Sequence, residues 1–238
     1  MATLSSFFDR IYILNLPHRV DRRKATIKEL ESIGVFLKPE KIEVFPAIKP
    51  DKAEPFKKLG SKGCFLSVLA ILGHVRDEGA NNVLIFQDDI KFPPFFNKHE
   101  SSLIQQLELQ NWDIAQFGHL TTEIDDADIK DKFATWRDSE SKAIGAHFFA
   151  VNGKSLDRFI HFLEELMSRP SGHPEGGAMP IDGAFTVFRR QNPDIVRLLA
   201  IPSFGGQRSS RSDVTPKWFD KLPVTSNLAQ LYRHWIYH

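Results

Sequence analysis

Two adjacent carboxylates, Asp88 and Asp89, follow the apolar run Val83-Leu84-Ile85-Phe86 with only Gln87 between. Val, Ile and Phe favour a buried strand, and a strand covered on both faces reads as an unbroken apolar run. In open α/β sheets, ligands bind at the carboxyl ends of the strands. Two hard oxygen donors placed there suit Mg²⁺ or Mn²⁺ carrying a substrate diphosphate. They equally suit the capping of a turn or a helix start. A second group follows the run Ile11-Tyr12-Ile13-Leu14: Asn15, then Arg19, Arg22 and Arg23. Guanidinium groups pair with phosphate oxygens through charge-assisted hydrogen bonds, or they form a solvated helix face. In a parallel sheet the two groups share one edge. A metal and arginines together fit a nucleotide diphosphate better than either alone.

The elements that must position these residues follow from periodicity and punctuation. Ile11–Leu14 reads as a first buried strand. Asp21 is placed to cap a helix through about Ile33, with Gly34 as its stop. Ile42–Phe45 reads as a short strand. Asp51–Lys62 is a loop or short helix, and Gly63–Glu78 a helix with Phe65, Val68, Leu69, Leu72 and Val75 on one face. With the Val83 strand this makes β-α-β-α-β, the order of a parallel sheet. Further on, Leu103–Leu109 reads as a helix and Trp112–Phe117 as a strand. Asp125, Asp126, Asp128 and Asp131 fall in a polar excursion. Ala143–Val151 is a strand, Lys154–Met167 a strongly striped helix, and Arg169–Pro180 a loop. Asp182 opens a helix through Arg190, Ile195–Ile201 is a last strand, and Pro202–Pro223 is polar, irregular and basic.

The 238 residues and 20 phenylalanines are enough for one large domain with a proper core. A net charge of +1 gives no electrostatic argument for nucleic acid. The single Cys64 excludes an internal disulfide and suits a reducing, cytoplasmic compartment. Met1–Phe8 lacks the pattern of a signal peptide, and the apolar runs are too short to span a bilayer. Leu228–Tyr237 mixes Leu, Tyr, Trp and Arg. It reads as a packed terminal helix or as a peripheral contact with the inner face of a membrane. No phosphate-loop, G-x-G-x-x-G, G-x-S-x-G or H-E-x-x-H pattern occurs. His74, His119 and His147 lie in or beside apolar segments and read as hydrogen-bonded core residues.

The ordered motifs resemble the family 25 glycosyltransferases, which include lipopolysaccharide-biosynthesis and procollagen galactosyltransferases. Ile11 to Leu16 with Arg19, Asp21 and Arg22 is similar to that family's strand-N-L-x-x-R-x-x-R start. Gly60, Gly63, Cys64 and Ser67 resemble its G-x-x-G-C-x-x-S-H segment, and Ile85–Asp89 its L-E-D-D motif. Trp112-Asp113 and Ile181-Asp182 fall where the family carries W-D and a short acidic motif. Pro202, Gln207, Ser212 and Asp213 resemble its late P-x-x-x-x-Q-x-x-S-D loop. The chain departs from the pattern at Val68, in place of a histidine, and at Gln87, in place of an acidic residue.

The resemblance implies one GT-A-type α/β domain with a mostly parallel sheet flanked by helices. Residues 10–118 would form a Rossmann-like nucleotide-sugar and metal-binding half, 119–223 a mixed acceptor half, and 224–238 a tail. It implies inverting transfer of a hexose, galactose or glucose, from a UDP-sugar to a glycan or lipid-linked glycan. Asn15, Leu16, Arg19, Arg22, Ser67, Asp88, Arg208 and Arg211 would hold the nucleotide sugar. Asp89, Asp88 and Gln87 would hold Mn²⁺ or Mg²⁺. Asp182 is the first choice of catalytic base, though a plain N-cap explains it equally well on local grounds. Three readings compete: a non-catalytic nucleotide-sugar binder, favoured by Gln87 and Val68; a metal-dependent phosphohydrolase using the same carboxylates; and a protein-interaction domain without a ligand.

Overall fold

The first apolar run forms β1 (Arg10–Asn15), buried from Ile11 onward. The computed structural model describes residues 2–120, 135–138 and 143–208. A short helix α1 (Leu4–Phe7), capped by Thr3, precedes β1. Helix α2 (Val20–Glu31) follows and returns the chain to β2 (Ile42–Pro46). Helix α3 (Leu59–Asp77) leads to β3 (Asn82–Gln87). Both β2 and β3 pair with β1 in parallel, as the order of elements predicts. Asp21 stands in the first turn of α2 while Arg19 occupies the N-cap. Helix α3 starts four residues before the expected Gly63, within the segment read as a loop or short helix.

After a two-residue strand β4 (Ile90–Lys91), helix α4 runs over Phe96–Leu109, twice as long as its apolar stripe suggests. Its first turn is anchored by Phe96, which packs on Phe92, Phe148 and Phe204. Strand β5 (Ile114–Leu120) follows. Strand β6 (Thr135–Asp138) was not anticipated; its Trp136 is buried and donates its indole N–H to the Leu103 carbonyl. Strand β7 (Ile144–Asn152) turns through a 3₁₀ segment into α5 (Leu156–Ser168). Helix α6 (Ile181–Gln191), β8 (Arg197–Ile201) and a two-residue β9 (Gly206–Gln207) complete the described chain. The expected excursion at Asp125–Asp131 and the terminal segment Leu228–Tyr237 lie outside the described residues. Among the described residues no helix is long and apolar enough to cross a membrane.

The main sheet has seven strands in the order β2-β1-β3-β7-β5-β8-β6. Strands β2, β1, β3, β5 and β8 run one way, while β7 and β6 run the other. The sheet is therefore an α/β sheet of mostly parallel direction, with antiparallel β7 joining its two parallel parts. The period of two decides which side each residue covers. Ile11, Ile13, Leu84 and Phe86 enter one core with Leu30 of α2 and Leu103, Ile104 and Leu107 of α4. Tyr12, Leu14, Val83 and Ile85 enter the other with α3, α5 and α6. Both faces are covered, which is why the parallel strands carry unbroken apolar runs.

Phe148 of β7 lies at the centre of the first core, stacked between Phe86 and Phe117 at ring-centroid distances of 4.6 Å each. It is fully buried. Phe148→Ala is expected to cost about 3–5 kcal/mol, the usual range for removing a buried aromatic ring. Urea unfolding of the two proteins measures it.

Candidate functional site

The parallel strands end together, and the sequence-predicted groups meet at that edge. Asn15 closes β1 and is nearly fully buried. Its Nδ2 donates to Asp88 Oδ2 at 2.8 Å and to the Arg19 carbonyl at 3.1 Å. Arg22, on the second turn-facing side of α2, donates to Asp88 Oδ1 at 3.0 Å. Thr26, one turn further, donates its hydroxyl to the Asp88 carbonyl at 2.6 Å. The i, i+4 spacing of Arg22 and Thr26 puts both on the helix face that meets the end of β3. Arg208 closes the cluster from the far end of the chain. Its guanidinium donates to the Asp88 carbonyl at 2.9 Å and to Thr26 Oγ1 at 2.6 Å.

The two aspartates therefore have different surroundings. Both Asp88 oxygens accept hydrogen bonds from Asn15 and Arg22. Asp88, expected to hold the metal and the nucleotide sugar, fastens β1, α2 and β3 together through these bonds. Asp89 is held more loosely. Arg22 stands 3.9 Å away, and Gln207 Nε2 approaches both carboxylate oxygens at 3.4 Å. Burial pushes the Asp89 carboxyl above the ordinary range, and Asp88 adds to the rise, while Arg22, His147 and Gln207 oppose it. Gln87 turns its amide toward Cys64 Sγ at 3.4 Å, with its oxygen 3.5 Å from Gln207 Nε2. A half-buried, weakly hydrogen-bonded carboxylate, with the Gln87 amide oxygen beside the same Gln207 nitrogen, offers oxygen donors of the kind a hard divalent cation takes.

Asp182 lies at the second position of α6, with Pro180 as the N-cap, so the N-cap alternative does not hold. Its Oδ2 accepts from the Gly145 N–H at 2.9 Å and its Oδ1 from the Gly183 N–H at 2.8 Å. Gly145 stands at the start of antiparallel β7, beyond the Phe86–Phe148 pair, so Asp182 lies at the same carboxyl edge of the sheet as Asp89. Burial pushes the Cys64 thiol up to about 12, with both carboxylates adding to the rise. Cys64 is a neutral thiol there, unsuited to act as a nucleophile. His147 donates Nε2–H to the Gly205 carbonyl at 2.8 Å, and burial holds it neutral. His119 does the same with the Ala200 carbonyl at 2.8 Å. Both histidines are thus hydrogen-bonded core residues, as their apolar settings predict.

Other expected residues are placed differently. Ser67 is fully buried; its hydroxyl donates to the Gly63 carbonyl at 2.7 Å and accepts from the Ile48 N–H at 2.8 Å. These two bonds hold the loop after β2 against α3. A Cβ on Gly63 would come within 2.6 Å of the Ile48 carbonyl oxygen, so the glycine permits the same close approach. Arg19 forms a fork with Asp21, at 3.0 and 2.9 Å, and holds that carboxyl below the usual range. Leu16 lies on the turn after β1, its carbonyl accepting from the Arg19 N–H at 2.8 Å. Arg211 lies outside the described residues. Sequence reasoning missed Thr26, Gln116 and Arg197. A charge at Arg197 inside the apolar run Ile195–Ile201 was a visible signal that a buried partner must exist.

The raised Asp89 carboxyl has a consequence for stability. The folded protein holds the Asp89 proton more tightly than the unfolded chain does, so this group's contribution falls as pH rises above the ordinary carboxylate range. Asp89→Asn is therefore expected to raise the melting temperature of the ligand-free protein at pH 7. The gain should vanish as pH falls into the range where Asp89 is protonated in both states. Thermal unfolding of wild type and variant across pH 4–8, on the order of the carboxylate titration range, checks it.

No family model matches the chain. A protein named glycosyltransferase 25 family member from Anopheles gambiae is 29% identical over 130 residues, 45% of this chain and 21% of that protein. Procollagen galactosyltransferase 1 of Danio rerio is 28% identical over 137 residues, 50% of this chain and 22% of that protein. A human protein named inactive glycosyltransferase 25 family member 3 is 26% identical over 47% of this chain and 22% of its own length. The chain spans about a fifth of the length of these relatives. Among solved structures, a glycosyltransferase involved in glycosylation of the major capsid of PBCV-1 superposes with a TM-score of 0.47 at 14% identity, covering 80% of this chain and 81% of that one. On the sequence matches, which bear out the resemblance read from the motifs, this α/β chain is a relative of the glycosyltransferase 25 family members and procollagen galactosyltransferases.

Proposed function

We propose that the chain transfers a hexose from a UDP-sugar to a glycan or lipid-linked glycan, with inversion at the anomeric carbon. The observation that supports this best is that Asp89, beside the Asn15–Asp88–Arg22 cluster, and Asp182, bonded to Gly145, both lie at the carboxyl edge of the sheet. Asp89, with the amide oxygens of Gln87 and Gln207, would hold Mn²⁺ or Mg²⁺. The ion would supply positive charge to the departing diphosphate. Asn15, Leu16, Arg19, Arg22 and Arg208 would hold the nucleotide sugar, and Arg211 is assigned to its phosphates with them. Asn15 Oδ1 is buried with no hydrogen-bond partner, which leaves an acceptor for a donor group of the nucleotide.

The chemistry assigned to Asp182 is proton removal from the acceptor hydroxyl. Its carboxylate takes the proton as the acceptor oxygen forms the new bond to the anomeric carbon. The bond from that carbon to the diphosphate oxygen breaks, and the electron pair leaves with UDP. A second reading, a nucleotide-sugar binder without turnover, is favoured by Gln87, which brings a carbonyl oxygen without charge where the family pattern has an acid.

Thermal unfolding with UDP-galactose, UDP-glucose and UDP, with and without Mn²⁺, separates these readings from a chain that binds no nucleotide. Stabilisation dependent on Mn²⁺ with UDP release is expected for the enzyme. Stabilisation without UDP release supports the binder, and phosphate release without any acceptor would support a phosphohydrolase. Asp182→Asn should leave donor binding nearly unchanged and reduce turnover by roughly a hundredfold or more, the scale of a lost general base. Normal turnover in that variant moves the base elsewhere. Gln87→Glu should tighten Mn²⁺ binding measured by calorimetry, because it adds a charged oxygen donor.

A further inference from the structure

We infer that Arg197 and Gln116 are positioning residues that aim the Asp182 carboxylate through a closed ring of hydrogen bonds. The inference rests on the reading of Asp182 as the base. Arg197 Nε donates to Gln116 Oε1 at 2.7 Å. Gln116 Nε2 donates to the Gly145 carbonyl at 2.9 Å, and the Gly145 N–H donates to Asp182 Oδ2 at 2.9 Å. On the other side Arg197 Nη1 donates to Thr186 Oγ1 at 3.3 Å, and Thr186 Oγ1 donates to the Asp182 carbonyl at 3.5 Å. The ring thus reaches Asp182 twice, once at its carboxylate and once at its backbone.

Three features mark this ring as an orienting device. First, Gln116 and Arg197 are both fully buried, at 0% exposure. A guanidinium there is costly to desolvate, and an apolar side chain of similar volume is often as good or better for stability. Its contribution is then to direction, and its hydrogen bonds lead to Asp182. Second, Gly145 has φ of +107°, a conformation that side chains other than glycine rarely adopt. A Cβ there would also fall 2.9 Å from His147 Nδ1. The glycine's unusual φ lets the two peptide groups that flank it present the Gly145 carbonyl to Gln116 and the Gly145 N–H to the carboxylate. Third, pairing of β5 with β7 shifts register between Gln116 and Gly118 and again before Leu120. Such irregularities re-aim backbone groups beside functional sites. Burial brings the Arg197 guanidinium down to about 10, and Asp182 is the charge that opposes this.

The test uses a signal that does not depend on turnover. The ¹⁵N–¹H resonance of Gly145 should move in Asp182→Asn, because its carboxylate acceptor is lost. It should move also in Arg197→Met. UDP release from UDP-galactose or UDP-glucose, whichever stabilises the protein, should fall by at least about tenfold in kcat in Arg197→Met, with UDP affinity within about twofold of wild type. Arg197→Lys should recover part of the loss. In the Asp182→Asn background, adding Arg197→Met should cause no further loss, as expected for residues acting as one unit. An unmoved Gly145 resonance in Arg197→Met, or losses that multiply in the double variant, would overturn the inference. If Arg197→Met does not fold, Thr186→Val cuts one side of the ring and carries the same readouts. Wild-type turnover in Asp182→Asn together with a displaced Gly145 signal in Arg197→Met would sink the base assignment while leaving the positioning role standing.

Discussion

The buried Asp88 carboxylate is the interaction on which the site depends. It draws Nδ2 of Asn15 from β1 and the guanidinium of Arg22 from α2 onto the end of β3. Its own carbonyl draws Thr26 and Arg208. Three other segments of the chain are thereby fixed to one residue at the end of β3. A buried charge left without its partners is strongly destabilising, so these contacts act together. The arrangement frees the neighbouring Asp89 from structural duty. One carboxylate of the pair organises the edge, and the other is left under-satisfied, facing the region shared with Asp182.

The same division recurs on the other side of the site. Asp113, at the opening of β5, is tied to the Val196 N–H at 2.7 Å and to the Ser155 hydroxyl and Lys154 ammonium. It stands at the sheet edge away from Asp89 and stabilises the turn into α5. Asp182, in contrast, accepts two backbone N–H bonds that aim it. Acidic residues that satisfy turns and acidic residues that are held ready for a ligand differ in what else competes for their oxygens.

Much of this was legible in the sequence, for physical reasons. Strands buried on both faces must be apolar throughout, so β1 and β3 announced themselves, and with them Asn15 and the aspartate pair. The helix at Leu156–Ser168 has a clean stripe because one face alone meets the core. Several features were not legible. Strand β6 is four residues long with only Trp136 buried, too little for a period to show. Ser67 looked like a ligand contact because its hydroxyl is polar in an apolar helix; its actual partners, Gly63 and Ile48, depend on how the preceding loop folds back. The antiparallel insertion of β7 between β3 and β5 is a matter of topology that local patterns do not encode. Arg197 and Gln116 were hidden for the opposite reason. They sit within apolar strands, where a single polar residue is easily read as an interruption.

The two-residue ladder between β4 and β9 looks minor, with Ile90 opposite Gln207 and Lys91 opposite Gly206. It nevertheless lies beside the contact of Arg208 with the Asp88 carbonyl, which spans a sequence separation of 120. Contacts between such distant positions form late, after the intervening chain has collapsed and lost its entropy. During synthesis, β1, α2 and β3 leave the ribosome well before Arg208, which ties itself to Thr26 and the Asp88 carbonyl. The half-built edge therefore lacks its last stitch until nearly all of the sheet's strands have been made.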